Sequence, residues 1–305
     1  MWNPSGEQFE IAFGEQRVVA VGVGGAIRTY SVDGDDVIDG YGAHEMATGG
    51  RGQVLAPWPN RIQDGSYEFA GQRHQLPLNE PEHSNSIHGL VRWVAWHVRE
   101  HDPHRVVLGH VLHAQPGYPF SLELLIEYEL SAKGLTVRTT ATNVGDEACP
   151  YGSGAHPYLT LGAETIDDLL LRVPARTALR SDERGIPVGS VAVDGTELDF
   201  RSARRVGEAK LDNGYTDLER DDAGVASVTI EGGGGSGRTL WVDEGYPYVM
   251  VFTGDIPAVQ RRGLAVEPMT CPPNAFRSGE ALVTLEPGAS HTATWGLSPA
   301  VEVRE

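Results

Sequence analysis

Several side chains in this 305-residue sequence have the type and setting that proton transfer to a polar organic molecule requires. Glu267 follows the apolar run "GLAV" and directly precedes Pro268 in "GLAVEPMTCPPNAF". A carboxylate closing a buried strand is costly unless something pairs with it or uses it. His156 precedes Pro157 in "YGSGAHPYLTLG". Proline disfavours helical backbone at the preceding residue, so His156 is expected to be extended. Gly152 and Gly154 remove side chains where a partner would approach the backbone. His88 precedes Gly89 in "SNSIHGLVRWVAW", and Arg61 follows Asn60 in "LAPWPNRIQDG", where Pro57 and Pro59 hold the chain extended beside Trp58. A guanidinium there offers a rigid fork of donors to a ligand oxygen. Asp212 opens "DNG" in "LDNGYTDLER". Carboxylates and imidazoles are side chains able to carry protons in catalysis. Each residue also has an ordinary explanation: a salt bridge for Glu267, a strand start for His156, a core position for His88, a surface turn for Arg61, and turn chemistry at Asp212 to Gly214.

Other chemistries lack their signatures. There is no HExxH helix, no pair of closely spaced cysteines and no close histidine spacing on one strand face, and "HDPH" at 101 to 104 falls in a loop, so no metal site is expected. The "GSG" at 152 to 154 does not have the spacing of a nucleophile elbow. No Walker loop or dinucleotide fingerprint occurs, and no cofactor is expected. The net charge of −18 argues for solubility and against nucleic-acid partners. It also disfavours a strongly anionic substrate unless a local basic pocket offsets the field. No apolar run is long enough to span a bilayer, and "MWNPSGEQFEIAFGEQ" lacks the basic start and apolar stretch of a secretory signal. A cytoplasmic location without membrane association is expected. Cys149 and Cys271 could form one disulfide, but two free thiols are the simpler state there.

The segments around these residues read as strands. "RVVAVGVGGAIRTYSV" alternates as a half-buried strand does. "SYEFAGQRHQLPL" reads as strand, turn at Gly71, strand, and "RVVLGHVLHA" as a further strand. "SLELLIEYELSAKGLTVRTTATNV" and "VASVTIEGGGGSGRTLWVDE" read as hairpins turning at Lys133-Gly134 and at a mobile glycine-rich loop. "ALVTLEPGASHTATWGL" reads as strand, Pro-Gly turn, strand. Short helical turns are expected around residues 200 to 209. Many strands at short spacing imply an all-β chain, a large antiparallel β-sandwich built as one domain over residues 1 to 305.

Taken in order, "PWPNRI", "SIHGLVRW", "GAHPYLTL", "LDNGYTDL" and "AVEPMTCPPNAF" resemble the motifs of the aldose 1-epimerase (galactose mutarotase) family, over nearly the whole chain. "HGLVRW" and the Asp212 segment look more like a bacterial branch that includes sulfoquinovose mutarotase-like proteins. The resemblance implies the galactose mutarotase-like supersandwich with a sugar cleft on one face. It implies Glu267 as general base, His156 as general acid and His88 as a histidine bonding the sugar near its ring oxygen. Arg61, Asn60 and Asp212 match hydroxyl binders. The family often has Asp-His-Asn where this chain has Asp212, Asn213 and Gly214. Animal members carry a glutamine where "VMVFTGD" offers Thr253 and Asp255. Both departures fall where sugar hydroxyls are read.

The expected activity is therefore interconversion of the α and β anomers of a free aldose by acid–base ring opening and closure, with a small-molecule sugar as the partner and a monomer or homodimer as the assembly. A bell-shaped rate–pH profile is expected, with Glu267 on the acid limb and His156 on the alkaline limb. Three alternatives stand beside this one. A non-catalytic sugar-binding sandwich would not need Glu267 and His156 together. A glycoside hydrolase would need two carboxylates flanking the bond, and no acidic partner suggests itself. A mutarotase for phosphorylated or sulfonated sugars would need an anion pocket, for which Arg92, Arg261 and Arg262 are the candidates.

Overall fold

The computed structural model describes residues 3–299. The chain is almost entirely strands. Helical structure among the described residues is limited to Ala275–Ser278 and two single 3-10 turns, Pro81–His83 and Gly233–Gly235. The longest hairpin pairs Leu122–Ser131 with Gly134–Asn143, and its alternation of buried and part-exposed residues is the period-2 pattern the sequence displays. This hairpin sits in a nine-stranded antiparallel sheet that runs from His97–Asp102 at one edge to Arg204–Arg205 at the other. An eight-stranded antiparallel sheet faces the cleft described below. Its successive strands are Pro187–Ala192, Ala175–Ser181, Asp212–Leu218, Tyr248–Phe252, Leu264–Met269, Gly154–Ala155 and Val54–Leu55, with Tyr158–Leu159 also paired to Leu264–Met269. One hydrophobic cluster draws on both sheets. Leu124 and Ile126 enter it from the first, Val249, Val251 and Val266 from the second, and Val18 and Tyr30 from a smaller N-terminal sheet. Burial of this apolar surface is the main stabilising term.

The local readings hold for both hairpins and for the strand–turn–strand at Gly71, which pairs Ser66–Phe69 with Gln72–Gln75. Four readings need correction. "RVVAVGVGGAIRTYSV" is not one strand but two, Gln16–Val21 and Ile27–Val32, turned by Gly24 and Gly25 at positive φ. Repeated glycine breaks the alternation, because only glycine adopts that conformation cheaply. Residues 200 to 209 are turns around the short strand Arg204–Arg205, without a helix. The C-terminal segment, by contrast, is strand, turn, strand as read: Val283–Leu285 joins Cys149–Tyr151, and Ser290–Ser298 enters the nine-stranded sheet. Asp212 and Asn213 lie in a strand rather than a turn, paired with Phe252 and Val251. Glu267 is not at a strand end, since Leu264–Met269 continues through Pro268. Cys149 and Cys271 are both buried free thiols.

Candidate active site

Four strands of the eight-stranded sheet and the loops around them converge on one cleft of about 530 Å3. Asn60, Arg61, His88, His156, Asp212 and Glu267 all line it, so these six candidate site residues arrive at the same place. Glu267 sits mid-strand opposite Met250 and is 2 % exposed. His156 lies between Gly154–Ala155 and Tyr158–Leu159, two short strands that both pair with the Glu267 strand. Pro157 separates them, and its carbonyl accepts the Val266 N–H. The result places His156 Nε2 3.3 Å from Glu267 Oε1.

The remaining polar atoms of this pair have no protein partner. His156 Nδ1 and Glu267 Oε2 are buried without a hydrogen bond. Burial pushes the Glu267 carboxyl well above its usual range, and the nearby Asp212 carboxylate adds to the rise while Arg61 opposes it. Burial pushes His156 down to about 3, helped by the positive charges of Arg92 and Arg51, while an approach to its own backbone, too poorly aligned for a hydrogen bond, opposes the shift. Both shifts favour the neutral pair, a protonated carboxyl beside a neutral imidazole.

His88 is locked by its neighbour Asn60. The His88 N–H donates to Asn60 O at 2.9 Å, and the Asn60 N–H donates to His88 Nδ1 at 3.3 Å. Both residues hold left-handed backbone, φ 64° for His88 and 53° for Asn60, which is uncommon outside glycine and asparagine. Burial keeps His88 neutral, with Arg92, His156 and Arg61 adding to the effect. An Nδ1 that accepts a hydrogen bond leaves the ring proton on Nε2. Ligand atoms of His88, His156 and Glu267 lie within 4.8 Å of one another, a spacing a small cation could bridge. The Nε2–H tautomer of His88 is a donor, however, and a protonated nitrogen cannot ligate.

Arg61 is held by Glu80, a residue the sequence did not single out. Its Nε donates to both Glu80 oxygens at 3.1 and 3.0 Å and its Nη2 to Oε1 at 3.0 Å. Asn85 Nδ2 in turn donates to Glu80 Oε2 at 2.9 Å. Nη1 is thereby aimed toward Asp212, 3.7 Å from Oδ2, and this carboxylate is half-exposed at the cleft. A fork bonded on one edge presents its other edge in fixed geometry. The Pro57 to Arg61 segment is not uniformly extended, and Trp58 is core rather than cleft, packed against Phe276.

The glycines of "YGSGAHP" do not open the cleft. A Cβ at Gly152 would meet Cys271 Sγ at 2.5 Å, and one at Gly154 would meet Pro268 O at 2.7 Å, so both serve strand packing. The glycine that lets the chain approach His156 is Gly50, at φ +78°, where a Cβ would fall 2.6 Å from His156 Cδ2. Thr253 and Asp255 do not line the cleft. Thr253 bonds the Leu211 backbone and Asp255, and Asp255 pairs with Arg261, while Phe252 faces the cleft in their place.

The three arginines considered as an anion pocket separate clearly. Arg261 binds Asp167, Asp255 and the Gly207 and Ala209 carbonyls, and Arg262 lies 3.7 Å from Asp39. Arg92 alone lines the cleft. It makes no ion pair among the described residues; its Nε is buried without a partner, and Nη1 donates to Gln53 Oε1 at 3.4 Å. Burial pushes its guanidinium down to about 10.

The comparisons bear on the family and the fold. The sequence model of the aldose 1-epimerase family matches residues 7–298, and the chain belongs to that family. It is 37 % identical over 288 residues to YihR, an uncharacterized protein of Escherichia coli K12, covering 94 % of this chain and 91 % of that one. Among solved structures, the GalM/aldose epimerase homologue of Caenorhabditis elegans superposes with a TM-score of 0.85 at 18 % identity, over 97 % of this chain and 99 % of that chain. The galactose 1-epimerase of Lactobacillus acidophilus superposes with a TM-score of 0.79 at 23 % identity, over 95 % and 93 %. These likenesses establish the galactose mutarotase-like fold. No helix among the described residues is long and apolar enough to cross a membrane.

Proposed function

We propose that this protein is a mutarotase that interconverts the anomers of a free aldose. The observation that carries the reading is the buried contact of His156 Nε2 with Glu267 Oε1 at 3.3 Å, at the floor of a cleft with Arg61, Asp212 and His88 on its walls. Glu267 takes the proton from the anomeric hydroxyl while His156 delivers one to the ring oxygen, and the bond from C1 to that oxygen breaks. The open-chain aldehyde turns about C1–C2. Closure then reverses the transfers: the attacking hydroxyl returns its proton to His156, and Glu267 returns its proton to the C1 oxygen. No proton is gained or lost overall. The neutral pair that burial favours is the form that accompanies the open chain, so the site stabilises the state in which the ring is broken. His88 Nε2–H and Arg61 Nη1 are the donors that orient sugar oxygens. Polarimetry of a freshly dissolved pure anomer tests this. The protein is expected to shorten the approach to equilibrium in proportion to its concentration, and an unchanged time course across a panel of aldoses would contradict it.

A second reading of the same site concerns the substrate's charge, and Arg92 favours it. A cleft-lining guanidinium without a carboxylate is suited to a phosphate or sulfonate on the sugar. Hydrogen bonds to charged groups are worth about 1.5–3 kcal/mol, so Arg92→Gln is expected to lower the ratio of kcat/KM for an anionic aldose to that for its neutral counterpart roughly 10- to 150-fold. An unchanged ratio would leave Arg92 without a role in substrate charge.

A further inference from the structure

A histidine that moves protons is commonly oriented through its other ring nitrogen, which donates to a carboxylate or a carbonyl. His156 has no such partner, because its Nδ1 is buried and unbonded. Something else must fix the ring. Tyr158 lies two residues on, 1 % exposed, with its ring stacked on the imidazole at 5.0 Å between centroids and 18° between planes. The phenol is itself pinned, since its hydroxyl donates to Gly49 O at 2.6 Å. Arg51 lies 5.8 Å from the phenol centroid and is anchored by Asp39 at 2.9 Å, by Thr48, and by the carbonyl of Ala258. Gly50 leaves the ring just enough room, as the 2.6 Å approach of a hypothetical Cβ indicates.

We infer that Tyr158 is the positioning residue of the site: its stacked ring, rather than a hydrogen bond at Nδ1, holds the His156 imidazole in line with Glu267 and favours its protonated form through the phenol face. The inference rests on the mutarotase reading for its kinetic consequence and on the stacking geometry alone for its physical one. A ring cation over an aromatic face is stabilised electrostatically. The charged and titratable groups facing His156 are Glu267, His88, Arg51 and Arg92, with Tyr158 on its face. All four groups are retained in either variant, and Arg51 keeps its anchors at Asp39, Thr48 and the Ala258 carbonyl, so a shift in His156 behaviour would report the stack.

The test compares Tyr158→Phe with Tyr158→Leu. Phe keeps the ring and loses only the bond to Gly49 O, so turnover within a few-fold of wild type is expected. Leu removes the stack; kcat is expected to fall about 10- to 100-fold with KM little changed, the size of effect that misplacing a reacting group produces. Nitrogen NMR of the histidine rings gives a readout independent of activity. The His156 protonation equilibrium should move to lower pH in the Leu variant and stay in place in the Phe variant. Circular dichroism and thermal melting establish that each variant is folded. A folded Tyr158→Leu protein with wild-type kcat and an unmoved His156 titration would overturn the inference. A wild-type protein that interconverts no anomers would instead overturn the mutarotase reading, and the NMR comparison would still decide the role of the stack.

Discussion

Glu267→Gln is expected to lower turnover roughly 10²- to 10⁴-fold, one general acid–base contribution, while leaving sugar affinity nearly intact. Gln preserves the volume of a side chain that is 2 % exposed in the middle of a paired strand, so the sheet has no reason to rearrange. It cannot take a proton at neutral pH. Its amide can still donate or accept one hydrogen bond toward His156 Nε2, which keeps the imidazole where it is. Arg61→Ala makes the contrast. That change removes a donor and strands the Glu80 carboxylate that held it, and its main effect is a raised KM. Calorimetry for affinity beside polarimetry for rate separates the two. Near-normal turnover in Glu267→Gln would make Glu267 a structural carboxyl and move the search for the base to Asp212, the other carboxylate at the Arg61 fork.

His156→Gln is expected to cost a comparable factor, about 10²- to 10⁴-fold in kcat. The pH profile of the wild type tells what the histidine does. A carboxyl whose pKa is raised keeps its proton to higher pH, and a histidine whose pKa is lowered gives its proton up sooner. Together they carry one proton across the neutral range. The reactive form, carboxylate beside imidazolium, is that same one-proton state with the proton on nitrogen, so its share does not vary with pH between the two titrations. Activity is expected to be level through neutrality. It falls on the acid side only as His156 takes up a second proton near its lowered value of about 3, and on the alkaline side as the pair loses its last proton at the elevated value of Glu267. This reverses the assignment that ordinary side-chain values suggest, with glutamate on the acid limb and histidine on the alkaline limb. The cause is burial, which sequence alone does not reveal. Rate against pH for the chemical step checks it: a sharp bell centred between ordinary Glu and His values would contradict the shared proton.

What was legible in the sequence was legible for physical reasons. Alternation in "LELLIEYELS" and "GLTVRTTATN" records which face of each strand is buried, and both strands form as read. Glu267 stood out because a carboxylate among apolar residues demands a use. Asp212 opens an Asp-Asn-Gly run that is ordinary turn chemistry when considered locally; pairing of Asp212 and Asn213 with Phe252 and Val251 overrides that preference. Glu80 and Tyr158 gave no local signal. Glu80 matters only because the chain brings it back to Arg61 across 19 residues, and Tyr158 because its ring happens to lie flat on His156. The glycines next to His156 gave a misleading signal: they serve packing against Cys271 and Pro268, whereas Gly50, distant in sequence, makes room at the imidazole. Arg92, Arg261 and Arg262 are alike in the sequence and differ only in the partners that the fold brings to them.

Two-dimensional exchange NMR on an equilibrated aldose tests the central claim most directly, because it detects ring opening and closure without any net reaction. A panel should pair neutral hexoses with their phosphorylated and sulfonated counterparts. Cross-peaks between the α and β anomeric protons are predicted for at least one member, with intensities that rise linearly with wild-type protein and vanish with Glu267→Gln. Exchange no faster than in buffer for every member, or equal exchange with wild type and Glu267→Gln, would contradict the account.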